Sequence, residues 1–447
     1  MYGAVVAEAD SIRAGSAKNL VNTLANTFAP RSGPPSTATV LRSALWPIAI
    51  MSIIHRTYVL TSNGYITDDW APVYRAVRNF RAGVDIYNEN FDLVDPHYLY
   101  PPGGTLLMAP FGYIDSEFAA RNWFIVFNTL AIIGAGILLV RLFRFSLTSV
   151  ALPALLAAMF VTESVTNTLV FTNVNGIILL LEVLFLRFLL DGRTSREWMA
   201  GIAIGLSLVV KPVLAVLLLL PLLNRQWRTL TAAVAVPVAF NAVAWPLVAD
   251  RMNFIDRTLP YLSATRDYFN SSVLGNGVYY GLPMWLIFAL RVLFVVLAVA
   301  SLWLLNHHYR TRDPLFWALS SSGVLLITSW LTLSLAQGYY SMLLFPFLMT
   351  VVLPNSVLRN WPAWLATYGF LTMDRWLMWR WPTTGRFLEY MKITYGWSLM
   401  LVVVFCVLYF RYLDAKADGR LDGGIDPRWM APQPRQRGGP TPSVTPA

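Results

Sequence analysis

GIAIGLSLVVKPVLAVLLLLPLL, residues 201–223, is an apolar run with a lysine and a proline, Lys211-Pro212, at its centre. Basic segments flank it on both sides, DGRTSREW at 191–198 and NRQWR at 224–228. A single crossing of a bilayer would put those two basic loops on opposite faces. Two crossings would leave about a dozen residues each, short of the ~20 that a spanning helix needs. The run therefore predicts a broken helical pair that enters the bilayer, turns at Lys211-Pro212 and returns. Irregular backbone at that depth is tolerated where it is buried in protein or lines a wet cavity. The bland alternative is one tilted span whose lysine reaches along its own stem to the interface.

The rest of the chain supports a membrane setting. Hydrophobic residues make up 56% of the sequence and charged residues 13%, with a mean hydropathy of +0.53. A soluble domain carries about a quarter charged residues. Further spans are expected at 41–60, 119–140, 147–162, 174–190, 229–249, 282–305, 314–333, 336–353, 361–377 and 396–413. Together with the broken pair they predict an all-α polytopic membrane protein of about 10–12 transmembrane helices. Residues 1–40 lack the pattern of a cleavable signal, so the first span is expected to act as an anchor. The transmembrane domain is expected over 41–413, and a disordered tail over 414–447.

Charge orients the bundle. RLFRF at 141–145, the two loops already quoted, NHHYRTR at 306–312 and the C-terminal Lys416 and Arg420 are basic. Placing all of them in the cytoplasm satisfies the positive-inside rule and puts both termini there. The longer segments 62–118, 250–281 and 374–395 then face outward. The net charge of +10 thus belongs to topology, and no nucleic acid is expected as a partner. One cysteine, Cys406, and four scattered histidines form no metal-ligand pattern, so no metal is expected.

Residues able to do chemistry lie mostly on the outward side. In ITDDWAPVYRAVRNFRAGVDIYN (66–88), Trp70, Val73, Tyr74, Val77 and Phe80 recur with helical spacing. They predict an amphipathic helix lying on the outer leaflet, with Arg75, Arg78 and Arg81 toward lipid phosphate. Asp68 or Asp69 is a natural N-cap, but capping accounts for one acid and not for two. Tyr98-Leu99-Tyr100-Pro101-Pro102 is an extended aromatic stretch suited equally to a sugar ring or to a membrane interface. His55 and Arg56 stand near the outer end of the first span, where ionisable side chains face either a cavity or the interface. Glu182 is intramembrane and is given a structural role. The loop 250–281 carries Arg266, Tyr261, Tyr268 and Asn270, and SLAQGYYSMLLFP (334–346) brings Gln337, Tyr339 and Tyr340 to an outer helix end. MDRWLMWRWP (373–382) suits an interfacial anchor. No Walker loop, HExxH or nucleophile elbow is present.

Taken in order, Asp69 five residues before the Tyr of VYRA, then GVDIY, YPP, NVNGIILLLEVLFLRFLLDGR, Lys211-Pro212, NRQWR and NSS, the motifs resemble a known family. It is the polyprenyl-phosphate-sugar-dependent glycosyltransferases of the C superfamily. The likeness spans about 40–415 and lies nearest the branch that adds arabinofuranose in mycobacterial-type envelopes. The resemblance implies decaprenylphosphoryl-arabinofuranose as donor and arabinan of arabinogalactan and lipoarabinomannan as acceptor, joined by alpha-1,3 branching with inversion. Membrane lipids and other cell-wall enzymes are further partners it allows. It places the catalytic base at Asp69, with Asp68 the adjacent possibility. Lys211, Arg56, Arg266 and Arg75 are then candidates for the donor phosphate, and Tyr98, Tyr100, Asn270, Gln337, Tyr339 and Tyr340 for sugar. Mannosyl-type relatives carry histidine where this chain has Gln337-Gly338, so no histidine role transfers there. Two rivals stay open: a polyprenyl-phosphate-mannose-dependent mannosyltransferase, and a lipid-linked sugar transporter or flippase. Broken helices with a central cation suit transporters too, but no internal repeat accompanies them here.

Overall fold

The helix Thr194–Val210 stops at Lys211, whose backbone is extended (φ −140°, ψ 122°), and a 3-10 helix, Pro212–Leu218, follows. Pro212 supplies no amide hydrogen and disfavours helical backbone in the residue before it, which explains the break. A short helix, Leu219–Leu223, completes the return leg. The computed structural model describes residues 36–63 and 69–430.

That leg runs back toward its starting end. Gln226 Nε2 donates to Leu189 O at 2.9 Å, Thr229 Oγ1 donates to Glu197 O at 3.0 Å, and Arg228 lies 3.6 Å from the Glu197 carboxylate. Both basic loops therefore sit at one end of the bundle. The helix Trp227–Ala244 then climbs beside Thr194–Val210 in the same direction, because Gly201 abuts Thr229 while Gly205 abuts Ala232 and Val236. The expected broken pair is thus present, with Lys211 at its apex.

Among the described residues, six helices are long and apolar enough to cross a membrane: Thr37–Leu60, Glu117–Leu142, Trp227–Leu247, Met284–His308, Pro314–Thr332 and Pro382–Ala417. A seventh counts if Ala151–Phe160 and Glu163–Val170, bent by 63° to one another, form one span. The protein is all-helical over the described residues and polytopic. The other expected spans are shorter or irregular. Asn175–Asp191 and Trp361–Leu371 are regular helices, whereas 338–352 alternates between 3-10 and α turns. Apolar composition sets burial, but it does not require a continuous α-helix where neighbouring protein covers the backbone.

Two further expectations change. The Trp70–Ala82 helix buries Trp70, Val73, Tyr74 and Val77, but against protein and not lipid. Trp70 stacks edge-on against Phe111 (5.5 Å) and tilted against Phe124 (4.7 Å). Arg78 and Arg81 hydrogen-bond Gly112 O, and Arg78 pairs with Asp115 at 2.8 Å. The tail is also ordered well past Asp414. The last long helix runs to Ala417, Ile425 is buried, and Tyr309 OH donates to Ile425 O at 3.4 Å. A Pro/Gly-rich composition there marks turns that fold back over the 306–312 loop; residues 431–447 lie outside the described residues.

Candidate functional site

At the end of the bundle opposite the basic loops, four chain segments bring polar side chains to one point. Asp69 holds the N-cap position of Trp70–Ala82 without capping the helix through its side chain. Its Oδ2 instead accepts from Asn173 Nδ2 at 2.5 Å and from Tyr339 OH at 3.5 Å. Its backbone N–H donates to Phe171 O at 2.9 Å, which ties the two segments together. Lys211 arrives from the hairpin apex. Its Nζ donates to Asn173 Oδ1 at 2.8 Å and to Asn175 Oδ1 at 3.5 Å, and lies 5.6 Å from the ring centroids of both Tyr339 and Tyr340. A cation over aromatic faces is attracted by their quadrupoles.

The surrounding walls are aromatic. Tyr339 and Tyr340 meet edge to face at 5.3 Å on the 3-10 turn Gly338–Leu344, and the Tyr339 hydroxyl also hydrogen-bonds Gln337 Oε1. Tyr100 lies within electrostatic reach of Asp69 and Tyr340. Burial first, then the Asp69 carboxylate, holds its phenol well above the ordinary range. Tyr98 stands behind it, fully buried, with its hydroxyl 2.6 Å from Thr105 Oγ1 and its ring edge-on to Tyr100. Gly103 and Gly104, which follow directly, fit against Asn241 and Val209 so closely that side chains there would meet backbone. That close approach seats the aromatic strap on the tops of the hairpin helix and its parallel neighbour.

Of the residues singled out from the sequence, Asp69, Lys211, Tyr100, Gln337, Tyr339 and Tyr340 converge. Arg266 lies at the margin, stacked over Tyr261 (5.6 Å) and Tyr268 (5.9 Å) and within charge reach of Tyr339 and Tyr340. Arg75 is exposed on the outer face of its helix. Arg56 belongs to a different contact set: His55 Nδ1 at 2.7 Å, Phe160 O at 3.3 Å and Met373 Sδ at 3.3 Å. Asn270 is committed to backbone, donating to Arg266 O and Ser334 O and accepting from Ser272 N and Ala336 N. Its amide is saturated, so it pins two loops and offers nothing to a sugar. Asp68 lies outside the described residues. Glu182 is fully buried, and neither carboxyl oxygen finds a hydrogen-bond partner among the described residues.

Asn173 and Asn175, which the sequence did not single out, prove central. Their signal was the pair of amides in TNVNG immediately before a long apolar helix, where the motif served only to mark the family. Among the described residues no three His, Cys, Asp or Glu side chains gather as a metal site.

A carboxylate and an ammonium held on one amide among aromatic rings suit group transfer with an anionic leaving group. Comparison with known proteins agrees. The profile of glycosyltransferase family 87 matches residues 98–334. The chain belongs to glycosyltransferase family 87. It is 69% identical over 433 residues to an alpha-(1->3)-arabinofuranosyltransferase of Mycobacterium tuberculosis, covering 97% of this chain and 99% of that protein. A protein of the same name from Mycolicibacterium smegmatis is 69% identical, covering 96% and 98%. Another from Corynebacterium glutamicum is 43% identical, covering 84% and 89%. As a family 87 member the chain is a membrane-embedded glycosyltransferase, which sets aside the transporter reading.

Proposed function

We propose that this enzyme is an alpha-(1->3)-arabinofuranosyltransferase that takes its sugar from a polyprenyl phosphate, decaprenylphosphoryl-arabinofuranose, and adds it to arabinan of arabinogalactan or lipoarabinomannan. The activity rests on relatives of that name matched over almost their whole length. The observation that carries the mechanism is the meeting of Asp69 and Lys211 from opposite sides of one site.

In this mechanism the acceptor hydroxyl oxygen attacks the anomeric carbon of the donor as the bond from that carbon to the phosphate oxygen breaks. The configuration inverts. Asp69 takes the acceptor proton, a role that contributes roughly 10²–10⁴ in rate. Lys211 faces the phosphate oxygens as their negative charge grows, and Arg266 lies further out on the same side. No metal is required, because the leaving group is a monophosphate met by a fixed cation. Tyr100 and Tyr340 offer ring faces to sugar. The site faces the outer side of the plasma membrane, since the basic loops at the other end belong in the cytoplasm.

The test is Asp69→Asn in purified protein, with synthetic donor and an arabinoside acceptor. Transfer is expected to fall at least about 10²-fold while donor binding persists. Near-normal turnover would overturn the assignment of Asp69, and preference for a mannose donor in competition would overturn the choice of sugar.

A further inference from the structure

Asn173 is the physical link between the two charged groups. Its Nδ2 donates to Asp69 Oδ2 and its Oδ1 accepts from Lys211 Nζ. An ionised carboxylate only accepts and an ammonium only donates, so these partners fix which way the amide points. The backbone enforces the same placement. The helix Glu163–Val170 ends with Thr172 at φ 55°, with Thr172 N on Leu169 O and Asn173 N on Thr168 O. This pair of bonds is the Schellman ending, which glycine ordinarily fills. A β-branched threonine there is strained, and such strain persists only where the surroundings dictate it. Asn173 is the residue this ending delivers into the site, 3% exposed.

We infer that Asn173 is a positioning residue, a neutral spacer that orients the Asp69 carboxylate and prevents Lys211 from pairing with it directly. The inference rests on the roles proposed for Asp69 and Lys211. Two hydrogen bonds and the width of an amide hold the charges roughly 6 Å apart, against about 3 Å in a direct ion pair. A direct pair in so buried a place would be tight and would occupy both groups. The carboxylate would lose basicity and the ammonium would be unavailable to phosphate. With the amide between them, the ammonium rests on two neutral oxygens, those of Asn173 and Asn175. Among the described residues no carboxylate pairs with it directly, so it is available to an anionic ligand. Among the described residues, the other titratable groups near Asp69 include Tyr100, Tyr339 and Tyr340, with Arg266 beyond them, and Asp68 adjoins it in the sequence. Arg121, on the neighbouring long helix, directs its guanidinium to Thr61 O and Val170 O.

The near-isosteric Asn173→Asp tests the spacer role. It puts a second carboxylate against Asp69, and like charges sharing a site raise one of them. A base works deprotonated, so the acid limb of the kcat profile is expected to move up by about one pH unit or more. The maximal kcat is expected to fall by about 10²-fold. Asn173→Ser removes the bridge without adding charge; kcat is expected to fall and the donor KM to rise, because Lys211 is then free to pair with Asp69. The inference is overturned if N173D folds, binds donor and keeps the wild-type acid limb, or if N173S keeps wild-type kcat. Should N173D fail to fold, N173S alone decides. D69N separates the two levels. Active D69N would sink the base assignment itself, whereas inactive D69N beside an unaffected N173D would sink only the spacer.

Discussion

Tyr339 touches both halves of the charged pair: its hydroxyl lies 3.5 Å from Asp69 Oδ2 and its ring centroid 5.6 Å from Lys211 Nζ. The hydroxyl contact is long, and Asn173 already supplies the short one at 2.5 Å. The ring should therefore matter more than the oxygen. Tyr339→Phe is expected to keep kcat/KM within about fivefold, because the bond to the carboxylate is long and the one to Gln337 joins neutral groups. Tyr339→Ala is expected to lose about tenfold or more, because a buried cation–π contact is worth about 2 kcal/mol. Equal damage from the two variants would shift the role to the hydroxyl.

Lys211 stands at the hairpin apex, and in the proposed mechanism it faces the donor phosphate. Lys211→Met keeps the length and flexibility of the side chain but removes the ammonium. A fixed cation aimed at developing negative charge is worth roughly 10²–10³ in rate, so kcat for the lipid-phosphate donor should fall by about that factor. Lys211→Arg should recover only part of the loss, since the planar guanidinium cannot sit on both asparagine oxygens as a point charge does. Steady-state transfer assays with both variants check this. Unchanged kinetics in K211M would remove Lys211 from the phosphate site.

Asn270 gives the opposite expectation. Its amide satisfies two carbonyls and two backbone N–H groups that join the 266–272 loop to 334–336. Asn270→Ala strands those buried groups and should lower stability by about 2–4 kcal/mol. Thermal unfolding in detergent measures this. A variant with wild-type stability but weakened sugar binding would restore the contact role expected from sequence.

Legibility in the sequence followed the range of the physics. The long spans and the hairpin were readable because hydropathy, basic loops and Lys211-Pro212 are local signals. The count of regular spans was not, because 338–352 and the bend after Phe160 depend on what packs around them. In the site, Lys211 stood out as a charge at the centre of an apolar run, and Asp69 as one of two adjacent acids between which the family resemblance chose. Asn173 did not, since an amide gains its meaning only when a carboxylate and an ammonium from distant segments arrive on either side. Arg56 and Arg75 were candidates for the donor phosphate alongside Lys211. Only tertiary placement shows that one grips Phe160 O and Met373 and the other is exposed.

The placement of Arg56 yields its own test. Its three contacts join the π-helical turn His55–Leu60 to the bend after Phe160 and to the segment at Met373. Arg56→Gln should therefore reduce thermal stability modestly, by about 1–2 kcal/mol, while kcat stays within about threefold of wild type. A loss of donor kcat/KM of fiftyfold or more at unchanged stability would return Arg56 to the phosphate site.

The hairpin's seating predicts a sharper effect at a distance. A methyl group on Gly201 would collide with Thr229 O and lie 2.5 Å from the Ala232 side chain. The first neighbour is helix backbone and cannot rotate away. At Gly205 the tightest neighbour is Val236 Cβ at 2.9 Å, with Ala232 O at 3.3 Å, a milder clash. Gly201→Ala should thus be the more damaging of the two, despite the gain in helix propensity that both share. Overpacking of this kind costs about 1–3 kcal/mol. It should also act on catalysis, because Gly201 lies on the same rigid helix as the Lys211 apex, ~15 Å along its axis. Parting this helix from Trp227–Ala244 there moves the ammonium relative to Asn173. Paired measurements of thermal unfolding and kcat on G201A and G205A check the ranking. Equal stability in the two would mean that the helices separate without resistance, and the apex would then owe its position to the asparagines alone.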